Sequence, residues 1–274
     1  MASLAATLKA SALPLLETRI LAAHALKVER PWISAHENDD IDPRAVREIE
    51  ELLLRRRAGE PIAYLTGERE FYGLSLAVSP AVLIPRPETE LLVDCALPLL
   101  RDGGRVLDLG TGSGAIAIAI AKNCPAAEVF ACEASEEALR IARANALRHG
   151  AKVKFVRSDW FAAFRSERFD LVVSNPPYIA LDDPHLEMGD LRYEPREALI
   201  AGKDGLECLE AIAAAAREHL QPGGCLMMEH GHDQGGASVR LLAGLGYTKV
   251  QDHRDMAGIG RTVQAWFDPL PEQR

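Results

Sequence analysis

The residue types best suited to chemistry lie in the run Asn175-Pro176-Pro177-Tyr178, which follows the apolar stretch Leu171 to Ser174. The two prolines fix φ and carry no backbone N–H, so carbonyl oxygens in this turn are left to accept hydrogen bonds from a ligand. The side-chain oxygen of Asn175 and the carbonyl of Pro176 can each accept one N–H of a planar amide or amino group. Such a site would hold the nitrogen with its face toward an electrophile, such as a sulfonium methyl group.

Tyr178 completes this motif, because its ring can stack on the planar group and fix its orientation. No neighbouring side chain is an obvious general base. None is required, because a methylated nitrogen becomes acidic and can lose its proton to water or to a carbonyl. The alternative interpretation is a proline-stiffened turn without a chemical role.

A glycine-rich run, Asp108-Leu109-Gly110-Thr111-Gly112-Ser113-Gly114, lies between an apolar stretch and a helical pattern. Its glycines let the backbone turn sharply and approach a ligand closely. The spacing is GxGxG, which differs from the GxGxxG of dinucleotide-binding folds, and the sequence has no GxxxxGK[ST] phosphate loop. By itself the run is weak evidence for a nucleoside site.

Two acids and a tryptophan at the ends of the next two apolar stretches strengthen that evidence. Glu133, 25 residues after Asp108, can accept hydrogen bonds from both hydroxyls of a ribose. Asp159 can accept from an exocyclic amine, and Trp160 can pack on adenine. Structural alternatives exist for three residues of the two runs: a loop cap for Asp108, a helix cap for Glu133 and a core position for Trp160. Because open α/β sheets bind ligands at the carboxyl ends of their strands, the combination predicts a nucleoside-type cofactor.

Positioning these residues requires a sheet, and the pattern predicts one. Apolar strand candidates cover Val106 to Leu109, Val129 to Glu133, Val153 to Arg157, Leu171 to Ser174 and Cys225 to Glu229, with helices over Ala115 to Lys122, Glu136 to Arg148 and Leu206 to His219. Apolar strands separated by helices indicate an α/β fold whose parallel sheet is covered on both faces. The residues from Thr248 to Asp268 predict a terminal antiparallel hairpin.

Three regions are predicted along the chain. Residues 1–72 have a helical pattern and indicate a helical bundle, in which Asp42-Pro43 caps a helix from Ala45 to Arg57. Residues 73–87 alternate apolar and polar side chains before three prolines and indicate a hairpin linker. Residues 88–274 form the α/β domain, which begins with a helix over Glu88 to Leu100.

Composition and charge limit the function classes. Hydrophobic residues make up 48% and charged residues 26%, as in ordinary globular proteins. The five cysteines have no CxxC pair or metal-ligand spacing, so we expect reduced thiols and no metal site. No apolar run approaches the ~18 to 20 residues of a membrane span. Residues 1–87 carry a net charge of −1 and residues 88–274 of −8, so we expect no stable nucleic-acid binding.

Taken in order, these motifs resemble the protein-(glutamine N5) methyltransferases that modify peptide chain release factors. Other segments similar to that family are Phe71-Tyr72-Gly73, Leu83 to Glu90, Asp183-Pro184-His185, Glu194-Pro195, Glu229-His230-Gly231 and Gly260 to Val263. The resemblance implies a Rossmann-like class I S-adenosylmethionine-dependent methyltransferase fold with a small N-terminal helical bundle. The chain departs from the family pattern at Glu133, where Asp is usual, and at Lys203, where paired glycines are usual.

The resemblance also implies a substrate, which is the glutamine of the Gly-Gly-Gln motif in class 1 release factors. The helical domain would grip the release factor, the reaction would be cytoplasmic, and S-adenosyl-L-homocysteine would be the product of S-adenosyl-L-methionine. The catalytic residues expected are Asn175, Pro176, Pro177 and Tyr178. The cofactor-binding residues expected are Asp108, Gly110, Thr111, Gly112, Ser113, Gly114, Glu133, Asp159, Trp160 and Asn175.

Three alternatives stay open at this point. The glutamine could belong to a ribosomal protein, or the planar nitrogen could be N6 of a flipped adenine, although the chain has no basic recognition domain. A non-catalytic scaffold that binds translation factors is the third, and the intact motifs disfavour it. Arg86, between Pro85 and Pro87, is expected to form an ion pair beside the site, with His185 and His230 in supporting positions.

Overall fold

The computed structural model describes residues 3–268, which fall into two compact units. One unit contains the chain up to Glu68 together with Glu187–Tyr193, and the other contains Arg69–Leu186 and the chain from Glu194 onward. These units are defined by packing. The functional division into residues 1–72, 73–87 and 88–274 stays a proposal.

The first unit is helical. Its helices are α1 (Leu4–Lys9), α2 (Leu15–Leu26), α3 (Arg30–Ala35), α4 (Pro43–Arg57) and α5 (Ile62–Thr66). The cap expected of Asp42 is present, because its side chain accepts a hydrogen bond of 2.7 Å from the backbone N–H of Arg44. Leu4, Leu21, Ile33 and Ile49 are fully buried between the helices. A bundle with its own core therefore forms where the sequence predicts helices.

A two-stranded hairpin follows, formed by β1 (Glu68–Phe71) and β2 (Leu74–Ala77). Tyr72 and Gly73 between the strands both have positive φ, 52° and 72°, as a type I′ turn requires. Phe71 and Leu76 are fully buried and anchor the hairpin in the core of the second unit. The predicted hairpin is present, but it begins before residue 73.

The second unit is built on a seven-stranded sheet. Its strands are β3 (Arg105–Leu109), β4 (Glu128–Glu133), β5 (Val153–Arg157), β6 (Phe169–Ser174), β7 (Leu220–Glu229), β8 (Thr248–Arg254) and β9 (Gly260–Phe267). The order is β5-β4-β3-β6-β7-β9-β8, in which β3 to β7 are parallel and β9 pairs antiparallel with β7 and β8. This confirms the predicted α/β fold, including the terminal hairpin.

Helices cover both faces of this sheet. They are α6 (Glu90–Ala96), α7 (Ala115–Asn123), α8 (Glu136–His149), α9 (Glu207–His219) and α10 (Gly235–Gly244). Successive strand residues point to opposite faces, so Val106 packs with α6 and α7 while its neighbour Leu107 packs with α9. Strands buried on both faces explain the continuous apolar runs in the sequence.

Two helices differ from the sequence prediction. The helix expected over Glu88 to Leu100 is divided into a 3-10 turn (Pro87–Thr89), α6 and a second 3-10 turn (Leu97–Leu99). Pro98 has no N–H and its ring clashes with the preceding turn, so the α-helix ends before it. Helix α10 was not predicted, because it begins with two glycines, which are poor helix formers.

Within residues 3–268, no helix combines the length and apolar character needed to cross a bilayer. The same residues hold no group of three or more His, Cys, Asp or Glu side chains that could bind a metal ion.

Candidate active site

The carboxyl ends of β3, β4, β5 and β6 surround a cavity of about 620 Å³, which lies within the range of small-molecule sites. Its lining includes most of the residues predicted to bind cofactor or substrate: Gly110, Thr111, Gly112, Ser113, Glu133, Asp159, Trp160, Asn175 and Pro177. Among the described residues, four other predicted ones are not part of this lining: Asp108, Gly114, Pro176 and Tyr178. The structure therefore brings nine of the predicted residues to one cavity.

Two glycines in the turn after β3 are required by its geometry. Gly110 has φ of +67°, and a Cβ there would lie 3.3 Å from Cζ3 of Trp160. Gly114 has φ of +87°, and a Cβ there would lie 2.8 Å from Cδ1 of Ile118. Glycine alone adopts such φ values without strain. The indole of Trp160 therefore lies directly against the turn, and α7 can begin immediately after it.

Asp108 holds the glycine-rich turn in place through buried hydrogen bonds. Its side chain is fully buried, and its Oδ2 accepts hydrogen bonds from the Thr111 hydroxyl at 2.6 Å and the Ala117 N–H at 3.2 Å. Its Oδ1 has no hydrogen-bond partner among residues 3–268. Burial raises the pKa of Asp108 to about 7, with a smaller contribution from the charge of Glu133. Asp108 thus fixes the loop that lines the cavity and does not line it.

Glu133 joins the turn to the start of α8. Its Oε2 accepts from the Gly112 N–H and its Oε1 from the Ser135 N–H, both at 3.0 Å. An ionised carboxylate has about four lone-pair positions, so positions remain for two hydroxyl donors in the cavity. The longer side chain of Glu133 is therefore held in place on the cavity wall by two backbone donors.

Asp159 and Trp160 follow β5 and line the same cavity. Trp160 has φ of +42°, which is unusual for a residue other than glycine. Its carbonyl accepts hydrogen bonds from the Ser158 hydroxyl at 2.8 Å and from the Cys132 thiol at 3.4 Å. These contacts stabilise a strained backbone conformation of the kind found at ligand sites.

The Asn175 amide lies at the end of β6. Its Nδ2 donates a hydrogen bond of 3.1 Å to the hydroxyl of Thr89, which also lines the cavity. Ser174 ties this strand end to β3 by donating from its hydroxyl to the Leu109 carbonyl at 2.8 Å. Because the nitrogen of Asn175 is already engaged, its oxygen is the atom left to accept from a ligand.

Tyr178 is anchored at both its hydroxyl and its backbone. The hydroxyl donates to Oε1 of Glu229 at 3.2 Å, and the backbone carbonyl accepts from Nε2 of Gln234 at 2.9 Å. Burial, together with the neighbouring carboxyl of Glu229, raises the pKa of the Tyr178 phenol far above its ordinary value. The hydroxyl therefore stays protonated and acts as a donor.

Glu229 ends β7 and was not predicted as a site residue. It is 2% exposed, and burial raises its pKa to about 7, while the hydrogen bond from the Tyr178 hydroxyl acts in the opposite direction. Its Oε2 has no hydrogen-bond partner among residues 3–268. The signal that could have identified it is an acid at the end of an apolar strand, as at Asp108 and Glu133.

The ion pair expected of Arg86 is present. Its Nη2 lies 2.7 and 2.8 Å from the two carboxylate oxygens of Glu194, whose side chain is fully buried. Glu194 directly precedes Pro195, which lines the cavity together with Glu197 and Ala198. The pair therefore holds one wall of the cavity, and its partner could not be identified from the sequence because 108 residues separate the two.

Asn145 is a second supporting residue that sequence reasoning missed. Its side chain is fully buried on α8. Its Nδ2 donates to the carbonyls of Ala77 at 3.0 Å and Ser113 at 2.9 Å, and its Oδ1 accepts from the Ala77 N–H at 2.7 Å. The glycine-rich turn is therefore tied to strand β2 of the hairpin.

Neither histidine singled out in the sequence lines the cavity within the described part of the chain. His185 is exposed, and its Nδ1 lies 2.7 Å from Oδ1 of Asp183 in its own loop. His230 is fully buried, with Nε2 lying 3.1 Å from Oδ1 of Asp252 and Nδ1 lying 2.8 Å from the Gly231 carbonyl. Their supporting positions stay a prediction.

Two models of known protein families match the chain. The "Methyltransferase small domain" model matches residues 87–189, and the "PrmC N-terminal domain" model matches residues 1–67. Among solved structures, a methyltransferase from Pyrococcus furiosus has a TM-score of 0.56 and 23% identity, with 80% of this chain and 98% of that one covered. That similarity concerns the fold.

Curated relatives are much more similar in sequence. The release factor glutamine methyltransferase of Bordetella pertussis is 52% identical over 252 residues, which cover 91% of this chain and 93% of the relative. That of Burkholderia pseudomallei is 49% identical over 270 residues, which cover 95% of this chain and 94% of the relative. Sequence identity of this extent over both units is sufficient to assign the family. The chain belongs to the release factor glutamine methyltransferase family.

Proposed function

We propose that the protein transfers a methyl group from S-adenosylmethionine to N5 of the glutamine in the Gly-Gly-Gln motif of class 1 peptide chain release factors. The observation that carries this proposal is the Asn175 amide, which lies on the cavity wall with its nitrogen engaged by Thr89. Its oxygen is thereby available to one N–H of a substrate amide. Membership of the family supplies the identity of the substrate.

The cavity fits the cofactor in size and chemistry. Glu133 keeps lone pairs for the ribose hydroxyls, exposed Asp159 can accept from the adenine amino group, and Trp160 offers an aromatic face. Gly112, with open space around a hypothetical Cβ, lets the backbone approach the ligand closely. When bound, S-adenosylmethionine supplies an electrophilic methyl group on its sulfonium and leaves as S-adenosylhomocysteine. Asp108 and Gly114 would contribute by holding the loop.

An amide nitrogen is a poor nucleophile, because its lone pair is delocalised into the carbonyl. The protein must therefore orient this nitrogen toward the methyl group. We assign one N–H of the substrate to the Asn175 oxygen and the other to the Pro176 carbonyl. These two acceptors would fix the amide plane and stabilise positive charge that develops on the nitrogen. Tyr178 would stack on that plane, with its ring held in place by Glu229.

The two units would have different roles in the reaction. The helical unit would bind the release factor, and the α/β unit would hold the cofactor and the reacting amide. A net charge of −9 opposes binding to a nucleic-acid backbone, which disfavours adenine as the substrate. Release factors act in the cytoplasm, so we infer that the enzyme does as well.

The substrate assignment is tested with labelled S-adenosylmethionine. The protein is incubated separately with a release factor, the same factor with its Gly-Gly-Gln glutamine replaced, a ribosomal protein mixture and DNA. We expect label only on the intact release factor. Label retained on the glutamine variant would refute the assignment, and label on ribosomal protein or DNA alone would favour the corresponding alternative.

A further inference from the structure

We propose that Gln234 is a positioning residue for methyl transfer, because its side-chain amide holds the Asn-Pro-Pro-Tyr turn (residues 175–178) in the position that faces the substrate. This inference rests on the proposed function and deepens it. It also gives a role to two segments to which the proposed function assigns none. One is the loop between β7 and α10, residues 230–234, and the other is the glycine-containing loop of residues 201–205.

The Asn-Pro-Pro-Tyr turn depends on other segments for its position. Pro176 and Pro177 carry no backbone N–H, so neither can donate a hydrogen bond that would fix the turn from within. At the first end of the turn, Asn175 follows β6 and donates to Thr89. At the last end, the carbonyl of Tyr178 accepts from another loop. The carbonyl of Pro176, which we assign to the substrate, keeps its direction only if both ends are fixed.

Gln234 is the donor at the last end of the turn. Its Nε2 donates to the carbonyl of Tyr178 at 2.9 Å and to the carbonyl of Gly205 at 3.3 Å. Its Oε1 accepts from the backbone N–H of Gly231 at 2.8 Å. Both hydrogens of the nitrogen therefore face carbonyl oxygens, while the oxygen faces an N–H, so a flipped amide would lose all three bonds. The orientation of the Gln234 amide is thus fixed, with a donor directed at the turn.

Gly205 shows how closely these segments approach one another. It has φ of +78°, and a Cβ there would lie 2.5 Å from the carbonyl oxygen of Tyr178 and 2.8 Å from Nε2 of Gln234. Glycine adopts this φ without strain and leaves room for both atoms. Any other residue would push the Tyr178 carbonyl away from its donor. The loop of residues 201–205 therefore packs directly against this hydrogen bond.

The connection between β7 and α10 holds Tyr178 at two points. The phenol donates to Glu229, which ends β7, and the carbonyl accepts from Gln234, which directly precedes α10. Without the Gln234 bond, we expect the backbone of the turn to shift while the phenol stays bound to Glu229. The carbonyl of Pro176 would then no longer face the substrate nitrogen. A displacement of about 1 Å can slow a reaction that depends on orientation by about 100-fold.

The first test replaces Gln234 by methionine, which has a similar length but cannot donate a hydrogen bond. We expect kcat for release factor methylation to fall about 10- to 100-fold. KM for the release factor and the dissociation constant of S-adenosylmethionine, measured by calorimetry, should each change less than about threefold. Gln234→Glu keeps the shape but points a carboxylate at two carbonyl oxygens, so it should be slower still. A merely structural role would not give this division between kcat and cofactor affinity.

Ser238→Ala is the matched control. Ser238 is fully buried on α10, and its hydroxyl donates to the backbone carbonyl of Gln234 at 3.0 Å. The variant removes a buried hydrogen bond at the same end of the helix but leaves the Gln234 amide in place. We expect wild-type kcat from it. Equal losses of kcat in Ser238→Ala and Gln234→Met would show a general response to loosening of α10 and would overturn the proposal.

Gly205→Ala tests the same contact from the opposite side. The added Cβ should displace the Tyr178 carbonyl, so we expect a lower kcat with nearly unchanged cofactor affinity. Wild-type kcat in Gln234→Met or in Gly205→Ala would overturn the positioning role alone. Cofactor affinity that falls as much as kcat in both variants would do the same. A wild-type protein that leaves the release factor unmethylated would overturn the proposed function itself.

Discussion

At the scale of single residues, Asn175 and Glu133 face the same cavity but are suited to different ligands. Asn175 presents an amide oxygen beside Thr89, where a substrate N–H could bind. Glu133 is held by the N–H groups of Gly112 and Ser135 and presents carboxylate lone pairs to hydroxyl donors. Because the two side chains end different strands, each can be replaced without disturbing the other.

Replacing each by alanine should separate chemistry from cofactor binding. Asn175→Ala should reduce kcat by about 10²- to 10³-fold, as expected when a pre-organised polar group is lost, with cofactor affinity still measurable. Glu133→Ala should mainly weaken cofactor binding, because the contact with the Gly112 N–H and the lone pairs proposed for the ribose hydroxyls both disappear. Calorimetry and steady-state kinetics on both variants measure this. A wild-type rate from Asn175→Ala would refute its assigned role.

The sequence could identify the cavity residues because they directly follow strands with a recognisable pattern. It could not identify their partners. Thr89 lies 86 residues from Asn175, and Glu229 lies 51 residues from Tyr178. Such contacts depend on how the chain returns to the sheet edge, and no local spacing encodes them. Arg86 was recognisable as half of an ion pair only because two prolines fix its position.

At the scale of elements, Asn145 joins three parts of the second unit. It sits on α8, binds both backbone groups of Ala77 at the end of β2, and binds the Ser113 carbonyl in the glycine-rich turn. All of these groups are buried or half-buried. The hairpin therefore supports the glycine-rich turn as well as connecting the two units along the chain.

Asn145→Ala should loosen this support. Three backbone hydrogen bonds are lost, and we expect the free energy of unfolding to fall by about 2 to 4 kcal/mol. Cofactor affinity should weaken as the turn gains freedom. Urea unfolding and calorimetry measure the two effects. Asn123→Ala is the matched control, because exposed Asn123 has no side-chain hydrogen bond within residues 3–268 other than that to the Ala119 carbonyl of its own helix, and it should cost less than about 0.5 kcal/mol. Equal effects in both variants would contradict this role.

The elements themselves were largely predictable, because buried parallel strands read as apolar runs between amphipathic helices. The exceptions have local physical causes. Pro98 ends α6 earlier than the apolar pattern suggests. Helix α10 forms although Gly235 and Gly236 disfavour it, because Leu242 packs into the core beneath the sheet. Tertiary packing overrides propensity there.

At the scale of the whole molecule, two fully buried carboxyl groups make stability depend on pH. Burial raises the pKa of Asp108 from 3.8 and of Glu229 from 4.5, each to about 7. Protonated forms are therefore favoured by the fold. The contribution of these groups to stability is complete below the unfolded pKa and is lost as pH rises through about 7.

Asp108→Asn should remove part of this dependence. Asparagine keeps the shape but cannot ionise, so the variant should gain stability relative to the wild type between pH 5 and pH 8, on the order of 2 kcal/mol. Urea unfolding at several pH values measures the difference. Asp170→Asn, which changes an exposed aspartate of β6, controls for the loss of one charge. Parallel curves for Asp108→Asn and the wild type would contradict the burial argument.

The most direct measurement of the central claim is the position of the transferred methyl group. A class 1 release factor is incubated with the wild-type protein and S-adenosylmethionine, digested, and its peptides are sequenced by tandem mass spectrometry. We predict a mass gain of one methyl group on the side chain of the Gly-Gly-Gln glutamine, with no gain after incubation with Asn175→Ala. A methyl group on any other residue, or an unmodified glutamine, would contradict the proposed reaction.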